Sequence, residues 1–457
     1  MRAIDYIVSS IFFWMAWSII PIIMEIIPAI FNFFLLIKKK IFQKKQQPPT
    51  FFPQITIIIP VYNSEQTLRE CIQSVYDSDY PKELIHVILS NNQGKDNSFQ
   101  VFTKAQMEFP QLHMNWMNAK QGKSKALNLA LFNSYGKYII HIDSDGVLHK
   151  DAIKNIVTMF EQQPETHCLT GTIMTNPRMI DETEGFFKRF FRKIEFFEYC
   201  QAFLAGRNFE SEFNSIYTLS GAFSAFRKST ILKTQLYNTE TVCEDTHVTF
   251  QVRELLKKSV KICPNAFFFV DPIEDMNRLY TQRQRWQRGE MEVAHMFLSK
   301  RLHAAKGFFS NFAIRLLMYD HTFAFPRMIW YFALICLVFM NYPMKLVVAS
   351  VVLIFMLYVF STFLYYISIC MFLNSYKEIR NYYMRKWYLI FFLPIYNFLI
   401  FWFRFAGIIN CIKGEQTWRT RDFTQERQAF FSVIRKDFTW LRVLIRKVKR
   451  IVNVDEE

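Results

Sequence analysis

Two carboxylates one residue apart, in Asp143-Ser144-Asp145, follow directly on the apolar run Tyr138–Ile142 (YIIHI). Such a pair can hold a hard divalent cation, Mg2+ or Mn2+, which can also bridge a diphosphate. A D-x-D is by chance a solvated turn, and it is the position at a strand end that favours the metal. Upstream, Gly122-Lys123-Ser124 looks like the end of a phosphate-cradling P-loop. That motif requires Gly at position 117, which is Met, so it is excluded. Lys123 can still meet a phosphate as a point charge, the alternative being a surface lysine at a helix start. Glu244-Asp245 opens the helical stretch VTFQVREL, where an acidic pair also simply suits the helix dipole. Further on, Gln282-Arg283-Gln284-Arg285-Trp286 lies on a helical stretch near the C-terminal apolar block. Arg283, Arg285 and Arg288 would be costly to gather without an anionic partner, a diphosphate or a lipid headgroup.

For these groups to meet, the fold must bring them to one place. Ile55–Pro60 (ITIIIP) is a short continuous apolar run, the pattern of a strand buried on both faces. Leu84–Leu89 (LIHVIL) and Tyr138–Ile142 repeat it, while Thr67–Tyr76 and Lys123–Phe132 carry helical spacing. This alternation predicts an α/β domain on a doubly wound, mostly parallel sheet. Open sheets of that kind bind ligands beyond the carboxyl ends of their strands. Pro60, Tyr62, Asn63 and Glu65 follow the first strand, Asn91, Asn92 and Asp96 the second, Asp143 and Asp145 the third. Polar groups from separate strand ends are therefore expected in one crevice.

Composition bounds what that crevice serves. Of 457 residues 51% are apolar, which excludes a disordered chain, and 12 Gly with 15 Pro exclude collagen-like and linker-like ones. The cysteines form no C-x-x-C pair, so neither a zinc ribbon nor a disulfide framework is expected, in keeping with a reducing cytosolic face. Ile7–Ile37 is apolar apart from Glu25, read either as a functional carboxylate within the membrane or, the favoured reading, as resting against another helix; a bilayer needs about 20 such residues. Lys38, Lys39, Lys40, Lys44 and Lys45 place its far end in the cytoplasm. Met328–Met344, Leu346–Tyr376 and Trp387–Phe403 are charge-free runs, and Pro394 with Arg404 predicts that the third is broken or re-entrant, leaving a basic cytosolic tail. In that tail Phe431, Ile434, Phe438, Leu441, Ile445, Val448 and Val452 form one apolar helical face among Lys and Arg, suited to anionic lipid or to packing on the soluble domain. The net charge of +16 alone does not choose phosphate over lipid headgroup, and the apolar spans favour lipid over nucleic acid. A transporter or channel is not expected, because more than half the chain is the soluble middle.

In chain order, Pro60-Val61-Tyr62-Asn63, Gly122-Lys123-Ser124-Lys125-Ala126-Leu127-Asn128, Asp143-Ser144-Asp145, Ser220-Gly221, Glu244-Asp245 and Gln282-x-x-Arg285-Trp286 resemble the membrane-embedded family-2 glycosyltransferases. Hyaluronan, cellulose, chitin and poly-N-acetylglucosamine synthases are members of that family. The resemblance implies a GT-A fold for a cytosolic domain flanked by transmembrane helices, in a multi-pass protein of the cell membrane. It divides the chain into a membrane helix and basic linker (1–50), the GT-A domain (51–305), amphipathic and transmembrane helices (306–412) and a basic tail (413–457). It implies a nucleotide-sugar donor, UDP-linked, a saccharide or glycolipid acceptor, Mg2+ or Mn2+, contact with membrane lipids, and room for an export or regulatory subunit.

Residue by residue, the resemblance implies that Pro60, Tyr62, Glu65, Asn91, Asn92, Lys123, Asp143, Gln282 and Arg285 line the nucleotide and diphosphate site. Asp143 and Asp145 would hold the metal, Asp245 would be the general base with Glu244 beside it, and Ser220, Gly221 and Trp286 would meet the acceptor. Trp418 and Arg421 of Trp418-Arg419-Thr420-Arg421 resemble a gating segment. Many relatives carry Asp-Asp where Asn91-Asn92 stands, which bears on the contact to the base. The function expected is inverting transfer of a sugar to a growing cell-surface polysaccharide. The alternatives are a single addition to a lipid or polyprenyl phosphate, and a non-catalytic nucleotide-binding scaffold.

Overall fold

Ile55, Ile57, Ile58, Ile59 and Val61 are all removed from water, as an unbroken apolar run requires when both faces of its sheet are covered. Each such side chain contributes about 1.5–3 kcal/mol relative to exposure. A computed structural model describes residues 19, 22–42, 49, 51–241, 243–302, 325–339, 343–412, 423–426 and 428. In it β1 (Ile55–Val61) lies between β2 (Ile85–Asn91) and β4 (Tyr138–Ile142), parallel to both. Pro60 and Val61 extend past the last β1–β4 pair, Ile58 with His141, the part of a central strand where a proline costs least. β3 (His113–Asn118) adds a further parallel strand beyond β2, one the apolar-run criterion passes over because HMNWMN mixes polar and apolar residues.

Beyond β4 the sheet changes character. β7 (Phe223–Arg227) is antiparallel to β4 and to β6 (Thr166–Thr175); β8 (Ser259–Val270) is parallel to β6, and β5 (Gly146–Leu148) is antiparallel to β8. The eight strands stand in the order β3-β2-β1-β4-β7-β6-β8-β5. The expected mostly parallel sheet therefore holds for one half only. After β6 the helical segment containing Phe186–Tyr199 returns the chain at the end of the sheet it left, so β7 must run back along β6. Helices still cover both faces. Leu68–Tyr76 and Ala152–Gln162 pack Leu68, Val75, Ile153 and Phe160 under Ile57 and Ile59, while Leu127 and Val248 of Lys123–Phe132 and Glu244–Phe250 pack against Ile58 and Ile88.

A third apolar cluster joins this domain to its flanks. Phe196 and Phe197 of the Phe186–Tyr199 helix meet Ala29 and Leu36 of the Ile27–Phe42 helix, Ile369 of Met344–Phe372, and Leu393 of Leu393–Ile412. Among the described residues two helices are long and apolar enough to cross a membrane, within Met344–Ser375 and Leu393–Asn410. The described part of the first charge-free run is helical over Phe325–Phe339. The expected break in the third run is found beside Pro394: Trp387–Phe391 is a short 3-10 helix that ends at Phe392, and a new helix begins at Leu393. Proline in the first helical turn gives up no intrahelical bond, so Pro394 stands near the start of an unbroken 20-residue helix that continues through a buried Arg404. The side chain of Glu25, the Trp418–Arg421 segment and the Phe431–Val452 stripe lie outside the described residues.

Candidate active site

The parallel register sets Val61 beside Asn91 and Asn91 beside Asn118, so the loops after β1, β2 and β3 open side by side, with Asp143 just past β4. Side chains lock these loops together. Ser64 Oγ lies 2.7 Å from Ser144 Oγ, the middle residue of the acidic pair, and the Ser64 N–H donates to Ser98 Oγ at 3.0 Å. The Glu65 N–H donates to Asp96 at 2.8 Å, and Asn97 donates its backbone and side-chain N–H groups back to the Glu65 carboxylate at 3.3 and 3.1 Å. Asn63, at φ 49°, accepts the Lys95 N–H at 2.9 Å. Asn91 both donates to Asn118 Oδ1 at 3.1 Å and accepts the Gly94 N–H at 3.0 Å, and Asn92 accepts the Gly122 N–H. The donating half of Asn91's role is one a carboxylate could not perform. Tyr62 stands out from this frame, 54% exposed.

At the centre Lys123 Nζ lies 2.6 Å from Asp143 Oδ1 and 3.6 Å from Glu244 Oε1. Lys123 heads its helix directly after Gly122, and Glu244 heads the Glu244–Phe250 helix, so two helix starts meet over the end of β4. Burial opposes the Lys123 charge, but Asp143, Glu244 and Asp245 outweigh it and hold its pKa above the usual lysine value. Burial likewise opposes ionisation of Asp143, and Lys123 and the buried His141, 3.6 Å away, overcome it to hold this carboxylate well below the usual range. Asp145 goes the other way, raised to about 6 by burial and then by the charge of Asp143. Asp245 is raised to about 6 by burial and then by Glu244. Neighbouring carboxylates pushed apart in this way are the mark of a site with divided acid–base roles.

One turn fastens the two acidic groups to each other. The Asp143 N–H donates to the Ala222 carbonyl at 3.1 Å, and a Cβ added to Gly221 would lie 2.8 Å from Asp245 Oδ2. Only glycine lets that carboxylate lie against the chain here. Ser220 Oγ is buried beside it without a hydrogen-bond partner. Asp245 Oδ1 accepts the Thr246 N–H at 2.7 Å, which fixes its direction.

The Met276–Leu302 helix closes the other side of the crevice. Arg285 is exposed and close enough for its charge to act on Asp245. Arg283 does not join Arg285 on the crevice side. Residues two apart on a helix point about 200° apart, and Arg283 turns inward, 1% exposed, with its Nη2 donating to Glu198 Oε2 at 2.6 Å. Its anionic partner is a carboxylate of the protein itself, 85 residues upstream. Trp286 is half-buried against the sheet core, under the Arg283 guanidinium at 4.5 Å and edge-on to Phe203 at 6.1 Å. Gln282 keeps a buried Oε1 without a partner.

Sequence reading passed over Glu198, Glu195 and the docking of Thr424 and Glu426. Thr424 donates to Asn277 Oδ1 through its N–H and hydroxyl, at 3.3 and 3.0 Å. Glu426 accepts from Tyr280, from Asn410 at 2.9 Å and from Gln284 at 3.4 Å. The stretch just after Trp418–Arg421 is thereby held on the helix that carries Trp286. An i,i+3 acidic pair, Glu195 and Glu198, inside an otherwise aromatic and basic run was the available signal for the inward-facing charges.

Comparison with known proteins gives three findings. The family model for glycosyl transferase family 2 matches residues 56–232. A poly-beta-1,6-N-acetyl-D-glucosamine synthase of Staphylococcus epidermidis is 27% identical over 283 residues, 60% of this chain and 64% of the relative; the synthase of Staphylococcus aureus strain COL is 24% identical over 239 residues, 52% of this chain and 55% of the relative. The chain thus spans less than two thirds of the length of these curated relatives. A mannosyltransferase of Pyrobaculum calidifontis, solved with GDP-Man and Mn2+, superposes with a TM-score of 0.56 at 16% identity, covering 80% of this chain and 99% of that one, a likeness of fold.

Proposed function

We propose that this chain, whose residues 56–232 match the family model for glycosyl transferase family 2, moves a sugar, with inversion, from a nucleotide-sugar to a growing cell-surface polysaccharide. The observation that carries this reading is the cluster in which Lys123 and Asp143 meet the Glu244-Asp245 pair across the Ser220–Ala222 turn. As the glycosidic bond breaks, negative charge grows on the leaving diphosphate. Lys123, and Arg285 from the exposed side of its helix, stabilise that charge where it develops. Asp245, ionised above about pH 6, takes the proton of the acceptor hydroxyl while its oxygen attacks the far face of the anomeric carbon. A placed base of this kind contributes about 10²–10⁴-fold, and one displacement inverts the configuration. Pro60, Tyr62, Glu65, Asn91 and Asn92 shape the nucleotide end, with Gln282 beside Arg285, and Ser220, Gly221 and Trp286 form the acceptor end.

The acidic pair fits a divalent cation. Asp145 is raised partly by the charge of Asp143, a repulsion that a cation relieves. Among the described residues no cluster of three or more His, Cys, Asp or Glu could hold a metal, so Asp143 and Asp145 would share the ion with donor oxygens and water. Bound there, Mg2+ or Mn2+ would supply positive charge to the diphosphate. The names of the Staphylococcus relatives support N-acetylglucosamine as the sugar; the UDP-linked donor implied by the motif resemblance is the first to try. The apolar helices, with the lysines from Lys38 onward, support a multi-pass protein of the cell membrane with residues 51–305 on the cytosolic side. In that setting Trp418 and Arg421 would gate the crevice, membrane lipids would contact the flanking helices, and an export or regulatory subunit would have a surface to join.

A second reading, one addition to a lipid or polyprenyl phosphate, is favoured by a specific feature: two membrane-length helices among the described residues are little material for a wide saccharide passage. The test is nucleoside diphosphate release by the detergent-purified protein from a panel of nucleotide-sugars with Mg2+ or Mn2+. Turnover of one donor that disappears in Asp245→Asn while donor binding persists is the expected result, and product length separates polymer from glycolipid. Turnover undiminished in Asp245→Asn would overturn the assignment.

A further inference from the structure

Buried charge near Trp286 has no part in the chemistry above. Arg283 lies within its own protein's interior, pinned to Glu198 at 2.6 Å and stacked between two aromatic rings, Trp286 at 4.5 Å and Tyr199 at 5.6 Å from its guanidinium carbon. Glu195, one helical turn before Glu198, is equally buried; its Oε2 accepts the Ile273 N–H at 3.1 Å and its Oε1 has no partner. Arg283 Nε and the hydroxyl of Tyr396, from the Leu393–Ile412 helix, are buried without partners as well. Stability alone does not account for this arrangement. A buried ion pair costs about as much desolvation as it returns, and apolar side chains of the same volume serve as well or better. Its incomplete hydrogen bonding makes the balance worse still. What apolar side chains could not provide is a flat, delocalised cation lying on an indole face at a fixed angle.

The geometry points to a positioning role: we infer that Arg283, oriented by Glu198, fixes the ring of Trp286 in the attitude that receives the acceptor. Neither residue touches the reacting atoms. Glu198 aims the guanidinium and the guanidinium aims the indole. Phe203, edge-on at 6.1 Å and itself 5.0 Å from Tyr199, completes the frame from the irregular helical segment Cys200–Gly206. The inference rests on the reading of Trp286 as the acceptor platform and adds the device that holds it.

The test uses the full-length protein in detergent with 5-fluorotryptophan incorporated. The Trp286 ¹⁹F resonance is assigned by its loss in Trp286→Phe. Arg283 is then replaced together with its hydrogen-bonded partner, as Arg283→Met with Glu198→Gln, so that Glu198 is not left as an unpaired buried charge; Arg283→Lys is the conservative companion. In the double variant the Trp286 resonance should shift or broaden while those of the other tryptophans stay. The acceptor KM should rise about tenfold, the size of a desolvated cation–π contact, with the donor KM unchanged. Arg283→Lys should restore part of both. An unmoved Trp286 resonance in the folded double variant would overturn the inference. A moved resonance with an unchanged acceptor KM would leave the positioning role standing and remove Trp286 from the acceptor site.

Discussion

The two flanks of the crevice are built in opposite ways. On the side of β1, β2 and β4 the loops are tied to one another, Ser64 to Ser144 and Ser98, Asp96 to Glu65, Asn91 to Asn118 and Gly94, and the unpartnered Ser90 Oγ and His141 Nε2 lie in the strands rather than the loops. On the side of the Met276–Leu302 helix, Gln282, Arg283, Gln284 and Gln287 each keep a buried polar atom without a hydrogen-bond partner. A buried unsatisfied group costs about 1–3 kcal/mol. The first flank is therefore a rigid seat, and the second holds its polar groups at a cost in stability, the usual state of a part that must rearrange or meet changing ligands. Donor chemistry, which is the same at every turnover, belongs to the seat.

The largest break in this picture should come where the flanks meet. Lys123→Met removes the cation that touches both Asp143 and Glu244. It should lower kcat about 10²–10³-fold, as for loss of a group aimed at developing charge, measured as nucleoside diphosphate release. A smaller loss would move the diphosphate contact to Arg285.

Next in size is a change at the back of the second flank. A Cβ at Gly407 would lie 2.9 Å from the Gln284 carbonyl, so Gly407→Ala must push the Leu393–Ile412 helix off the helix that carries Trp286. The expected cost is about 1–3 kcal/mol, read by thermal unfolding in detergent. The acceptor KM should rise and the donor KM stay, and a change confined to the donor KM would contradict the division of labour.

The acid limb sharpens the comparison further. Asp245 and Asp145 are raised from 3.8 to about 6, so between these values the folded protein holds more protons than the unfolded chain. Stability should therefore fall as pH rises through that window, while activity rises as Asp245 ionises. Asp143, shifted down, has the opposite sign: its contribution is present above about pH 4 and is lost as pH falls. Glu244→Gln removes the second cause of the Asp245 shift and should carry the acid limb of the pH–rate profile toward the ordinary carboxylate range. An unmoved limb would assign it to Asp145.

The smallest effect belongs to the rigid seat. Ser64→Ala deletes the bond to Ser144 at 2.7 Å and should cost about 1 kcal/mol, with the donor KM up severalfold and the acceptor KM unchanged. A drop in kcat as large as that of Lys123→Met would mean that the seat takes part in the chemistry and not only in donor binding.

What the sequence by itself determined is local. ITIIIP, LIHVIL and YIIHI, with the helical spacing at Thr67–Tyr76 and Lys123–Phe132, announce buried strands and covering helices because burial on two faces leaves little room for polar residues in a strand run. The placing of Asp143 and Asp145 at a strand end followed from the same runs, and with them the crevice. What only the tertiary structure decided depends on partners far along the chain. The sheet is mixed because strand direction is set by where the chain re-enters, which no period within β7 records. Arg283 and Arg285 are the same residue type two positions apart, and helix geometry sends one to Glu198 and the other to solvent. The raised carboxyls of Asp145 and Asp245 come from burial and from neighbouring charge, both properties of the packed state. Periodicity is written residue by residue. Which charge is desolvated, and by whom it is met, is settled only when distant segments share one interior.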